Sequence, residues 1–109
     1  MAIKQTRVEA LFRYTGTQIP ANSTVTIAEV DTSPNGGINI LAKGDQQYTL
    51  RVYEADRYDG ATFNYTDFTI PISGDTVEIL PYGSRVVIQV LTAASPTTPN
   101  IRAFPKAVK

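Results

Sequence analysis

The sequence predicts a single antiparallel β-sandwich, Greek-key, immunoglobulin-like or jelly-roll, of about seven to eight strands. Three observations predict it. Apolar residues recur at every second position, as in Tyr48, Leu50 and Val52 and again in Val86, Ile88 and Val90; side chains alternate across a strand with that period. Turn signals punctuate the chain roughly every 8–12 residues, the spacing of sandwiches and barrels. No stretch sustains the 3.6-residue apolar period of a helix.

Each element follows from these rules. Thr6 to Tyr14 reads as a first strand, with Val8, Ala10, Phe12 and Tyr14 on one face and Arg7, Glu9 and Arg13 on the other. Leu11 interrupts the polar face and points to a partly covered or edge position. Gly16 to Ser23 is a loop, and the β-branched run Thr24 to Val30 is a second strand with Val25 and Ile27 inward. Asp31 to Gly37 (DTSPNGG) is the strongest turn signal, in which Asn35-Gly36 suits a tight hairpin. Ile38 to Ala42 is a short third strand, and Lys43-Gly44-Asp45 leads into the Tyr48 strand, which EADRYDG (Glu54 to Gly60) closes as a charged loop. Phe63, Tyr65, Phe68 and Ile70 form one further run, in which the shift from odd to even positions requires an irregularity. Pro71 cannot donate to a ladder and marks an edge or the end of pairing. Val77 and Ile79 face inward from the next strand, PYGS turns the chain, and Arg85 to Thr92 is the last long strand. Tyr14, Tyr48 and Tyr65 share the apolar parity and are assigned to the core.

Residues 1–94 thus read as the sandwich domain and 95–109 as a Pro-spaced extended C-terminal tail or arm. Pro96, Pro99 and Pro105 break that tail and bias the residues before them towards extended geometry. Two readings stand: a short final strand at Asn100 to Phe104 on its own domain, or an arm that docks Ile101, Phe104 and Val108 on a neighbouring subunit. The arm reading predicts that deletion from Ser95 leaves a folded but dissociated protein.

Composition excludes more than it offers. The chain has 109 residues, 42% hydrophobic and 18% charged, one domain's length with enough apolar content for a core. Ten basic and ten acidic residues cancel, so the phosphate-neutralising footprint of a nucleic-acid binder is missing, as is a warrant for electrostatic membrane docking. Without cysteine or histidine the chain lacks thiolate chemistry, disulfides, the commonest general base and the commonest transition-metal ligand. MAIKQTRVEALFRY lacks the apolar core of a secretory signal, and no apolar run approaches the ~20 residues of a membrane helix. The expectation is a protein made in a cytoplasm, with no cofactor.

Candidate sites are few. Asp56 and Asp59 give the EADRYDG loop the acidity of a calcium loop, but their spacing is not the alternate-ligand pattern of an EF-hand and Arg57 stands between them. Glu54 and Glu78 fall on strands, yet nothing sets them across a cleft at the ~5–10 Å that paired-carboxylate catalysis needs. Ser23, Ser73 and Ser84 have no histidine to activate them. Asn22-Ser23-Thr24 and Asn64-Tyr65-Thr66 match the glycosylation pattern by chance, there being no signal segment. Tyr53, Tyr58 and Tyr82 lie off the apolar face or in turns, where a rigid ring gives contact area at low entropic cost.

The opening MAIKQTRVEA, which enters a strand directly, the run DFTIPISGDTVEILPYGSRVVIQV and the tail SPTTPNIRAFPKAVK together resemble small β-sandwich structural proteins of tailed bacteriophages. Capsid decoration or cement proteins are the nearest in style. The resemblance spans most of the chain as architecture and composition and contains no diagnostic motif. It implies a non-enzymatic virion protein that binds the head shell, or sits at the neck or tail. Its partners would be copies of itself as a homo-oligomer and other virion proteins such as the major capsid protein. The competing expectation is a carbohydrate-binding or adhesin-like module, in which two or three coplanar exposed tyrosines form a stacking platform.

Overall fold

The computed structural model describes residues 12–31, 37–56, 61–79 and 84–105. It is all-β, with eight antiparallel strands: β1 (Phe12–Thr15), β2 (Thr24–Asp31), β3 (Ile38–Gly44), β4 (Tyr48–Asp56), β5 (Thr62–Ile70), β6 (Asp75–Ile79), β7 (Ser84–Thr92) and β8 (Pro99–Pro105). They form two sheets of four, ordered β1-β8-β3-β6 and β2-β7-β4-β5.

The pairing has a simple logic. β4 pairs with β5, β3 with β6, β2 with β7 and β1 with β8, so the chain behaves as one long hairpin bent at the β4–β5 connection and rolled into two layers. β3–β8 and β4–β7 pairing closes each sheet. This order is the double Greek key of a jelly roll. An immunoglobulin-like sandwich divides its strands differently.

Alternation fills the space between the layers. From the first sheet come Ile38, Ile40, Ala42, Val77, Ile79, Ile101 and Ala103; from the second come Val30, Tyr48, Leu50, Val52, Ile70, Val86, Ile88 and Val90, all buried. Val25, Ile27 and Ala28 are half-buried against this core, and the register of β2 shifts between Thr26 and Ala28.

The connections at one end are laced together. Ile19 and Thr97 exchange backbone hydrogen bonds (Ile19 N–H to Thr97 O 2.7 Å, Thr97 N–H to Ile19 O 2.9 Å), and both are buried. The Thr92 hydroxyl donates to the Pro20 carbonyl (2.6 Å) and accepts from the Ser23 amide (2.9 Å). Asp45 in the β3–β4 turn accepts from the Thr98 amide (2.8 Å). Gly44 is required by close packing here, since a Cβ would stand 3.0 Å from the Tyr48 ring and 3.3 Å from the Thr98 carbonyl oxygen. The buried Tyr48 hydroxyl donates to the Lys43 carbonyl (3.0 Å), and burial pushes its phenol well above the usual tyrosine range.

Three expectations change. The strands on either side of DTSPNGG do not form a hairpin, because β2 and β3 belong to different sheets; residues 32–36 of the segment lie outside the described residues. Pro99–Pro105 is no arm but a strand flanked on both sides, so the division at residues 94/95 does not mark the end of the sandwich. Ile101 is accordingly fully buried in this chain's own core. Tyr65 is not a core residue but 51% exposed. The irregularity lies opposite Tyr53 and Ala55, N-terminal to Tyr65 in β5, and the register from Tyr65 to Ile70 is unbroken. Tyr65 therefore faces away from the layer that Ile70 enters. Other expectations hold: β1 is an edge strand, and β5 ends at the residue before Pro71.

Candidate functional site

The two outer faces of the sandwich carry what chemistry the described residues offer. On the second sheet, strand register sets three rungs across β2, β7, β4 and β5: Glu29–Val87–Tyr53–Tyr65, Thr26–Gln89–Arg51–Asp67 and Thr24–Leu91–Thr49–Thr69. Side-chain contacts run within the first two of these rungs and, through Arg51 and Tyr65, between them. Arg51 forms a bidentate pair with Asp67, Nε to Oδ1 at 2.7 Å and Nη2 to Oδ2 at 2.9 Å, and its guanidinium lies 4.1 Å from the centroid of the Tyr65 ring. Tyr53 and Tyr65 pack with centroids 5.1 Å apart and planes inclined at 59°. Gln89 donates to the Thr26 hydroxyl (3.1 Å), and Arg85 pairs with Glu29. The hydrogen-bonded Arg51 holds the Asp67 carboxyl below the usual range, and Asp67 in turn raises Arg51.

This face is the one that Tyr53 was expected to mark. Tyr53 is half-buried because Tyr65 lies against it. The more exposed rings belong to β5: Phe63 at 65% and Tyr65 at 51%. The sequence signal for them was available. Arg51 shares the parity of Tyr53, and Asp67 that of Tyr65, so an Arg51–Asp67 pair places both tyrosines on the outer face. Among the described residues, β5 pairs with β4 alone, and every residue from Thr62 to Asp67 is exposed, whichever face it points to.

The first sheet presents a different face. Its central rung runs Arg13–Arg102–Leu41–Thr76, flanked by Thr15–Asn100–Lys43 and Phe104–Asn39–Glu78. Phe104 is half-buried on this face, with Asn39 beside it, and is part of a sheet instead of reaching beyond it. Leu41 is 45% exposed. A shallow depression of about 590 Å³ lies over Leu41, Lys43, Thr76, Asn100 and Arg102 and is bounded by Ser73, Gly74 and Asp75.

Tyr58, Tyr82 and Val108 lie outside the described residues, as does Asp59. Asp56 ends β4, and no group of three or more His, Cys, Asp or Glu among the described residues could hold a metal ion. Glu54 sits opposite Val86 on the inward register of the second sheet, whereas Glu78 is on the outer side of the first, between inward Val77 and Ile79. The two do not share a cleft. No family model, curated protein or solved structure matches the chain.

Proposed function

We propose that this chain is a non-enzymatic structural protein of a bacteriophage virion, a capsid decoration or cement protein that binds the head shell or a component of the neck or tail. One observation carries the reading: β5 is a nine-residue strand whose outward backbone hydrogen-bonding groups, those of alternate residues, lie along an edge that no described strand covers. Edge strands that must stay single are guarded by lysine, proline, an inward charge or a β-bulge. β5 has an irregularity near its start, opposite Tyr53 and Ala55, but from Tyr65 to Ile70 it has no lysine, proline or inward charge: its one charge, Asp67, is tied to Arg51, and its exposed residues include Phe63 and Tyr65. An edge of this kind is suited to protein assembly, and the jelly roll is an architecture that viral shell proteins, lectins and enzymes share.

The carbohydrate-binding alternative needs flat, coplanar rings. Tyr53 and Tyr65 are inclined at 59° with a cation packed on one of them, which suits a self-contained stack better than a sugar platform.

Light scattering on a sizing column over a hundredfold dilution tests the reading, with the double variant Phe63→Lys/Tyr65→Lys alongside. A dilution-resistant oligomer that becomes monomeric in the variant is the expected result. An oligomer unchanged by the variant would remove β5 as the contact. A monomer throughout, together with a glycan screen showing binding that depends on Tyr53 and Tyr65, would replace assembly with sugar recognition.

A further inference from the structure

The two outer faces differ in how their cations are held. On the second sheet Arg51 and Arg85 each have a carboxylate partner. On the first, Arg13 and Arg102 stand directly opposite each other on β1 and β8, and neither guanidinium has a hydrogen bond or ion pair to a described residue. Lys43 lies on the same face one rung away. Directly opposed like charges in an antiparallel pair are destabilising, with Cβ atoms only about 4.5–5.5 Å apart. Two arginines so placed can turn both guanidiniums onto one carboxylate, each able to donate two parallel hydrogen bonds. Beside them, Leu41 is 45% exposed within the depression.

We propose that the outer face of the β1-β8-β3-β6 sheet is a docking surface for an acidic protein segment. A carboxylate of that segment sits between Arg13 and Arg102, and an apolar neighbour rests on Leu41. Lys43 takes a second acidic group, with Asn100 and Thr76 supplying polar contacts in the depression. Asp75 and Glu78 on β6 give the surface a direction. Asp75 bounds the depression, where its carboxylate accepts from the Thr76 amide (2.8 Å). Glu78 lies on the far side of β3 from the arginines. The acidic end of the segment therefore lies over β1 and β8, not over β6. The charge pattern favours protein over nucleic acid: three cations beside two carboxylates make a local cluster, not the extended basic track that neutralises a phosphate backbone. This surface is remote in the sheet order from β5, so the inference goes beyond the assembly reading and stands even if the free protein is a monomer.

The probe is a peptide of about ten residues alternating glutamate and leucine, titrated at low salt into the ¹⁵N-labelled protein. An oligothymidylate of equal length and inorganic phosphate serve as comparison ligands. Shifts of amides in β1, β3 and β8, weakened at least tenfold in Arg13→Gln/Arg102→Gln, are the expected result. That variant should melt no lower than the wild type, because it removes a repulsion. Leu41→Ser should weaken the peptide several-fold and leave phosphate untouched. Absence of shifts at millimolar peptide, shifts confined to β4 and β5, or unchanged affinity in the double variant would overturn the proposal. So would tighter binding of the oligothymidylate, or a lower melting temperature showing that the arginines serve the fold.

Discussion

Strands β5 and β8 occupy opposite places in their sheets: β5 is terminal in its order, whereas β8 has a neighbour on each side. β8 begins and ends with proline and follows a Pro-spaced segment, yet it lies between β1 and β3 with Ile101 and Ala103 fully buried. β5 is long, rich in threonine and aromatic residues, and reads as a good strand, yet it is an edge with six successive exposed residues. Strand propensity describes fit to a pleated surface, not a place in a sheet. Place is decided by which strands find each other. β8 completes a sheet that otherwise has a gap between β1 and β3, whereas β5, at the bend of the long hairpin, has no described strand on its other side.

The largest test of this contrast is removal of residues 99–109. It should abolish cooperative unfolding rather than leave a dissociated sandwich, as read by circular dichroism and urea titration. A milder version, Ile101→Ala, should cost about 2–5 kcal/mol, the range for a large-to-small change in a packed core, whereas Tyr65→Ala should stay within about 1 kcal/mol. If the two values came out equal, the contrast would fail. Thr92→Val probes how the chain between β7 and β8 is held. It removes the partner of the Ser23 amide and the Pro20 carbonyl; because both sites are only partly buried, the cost should be that of ordinary hydrogen bonds, about 0.5–1.5 kcal/mol, measurable as a shift in the urea midpoint. A smaller effect is expected of Asp67→Asn on β5. Because Arg51 lowers the Asp67 carboxyl in the folded state, the pair adds stability above the unfolded value of about 3.9. That contribution declines as pH falls through the lowered folded value. The variant should lose it at neutral pH and show a flatter stability profile in acid; the loss should be modest, since both side chains are partly exposed.

Much of the fold was legible because alternation assigns faces. Tyr48, Leu50 and Val52, Val86, Ile88 and Val90, and Val77 with Ile79 all point where their parity says. Alternation does not assign neighbours. That is why DTSPNGG, with the composition of a hairpin turn, joins two sheets, and why the tail could be read as an arm. Tyr65 was misplaced for a local reason. Its parity matches that of Phe63, and the irregularity that separates the two lies between them, opposite Tyr53 and Ala55, where alternation gives no sign of it. The opposition of Arg13 and Arg102 was beyond reach of the sequence altogether, since two residues at opposite ends of the chain are brought together only by the β1–β8 register.

The nested pairing also sets an order of events in time. Tyr53 meets Tyr65 across a short connection, Ile40 meets Val77 across a longer one, Val25 meets Val90 across one longer still, and Phe12 meets Ala103 across nearly the whole described chain. Closing each successive loop costs more chain entropy, and non-local pairing slows folding. The innermost hairpin is therefore the natural nucleus, and β1 is the strand that waits. During synthesis β1 emerges first, but β8, its one partner among the described strands, is made after all the others. A ribosome-bound chain that stops before Pro99 thus holds β1 unpaired and the flank of β3 open, so acquisition of the native state is tied to the synthesis of its eighth strand.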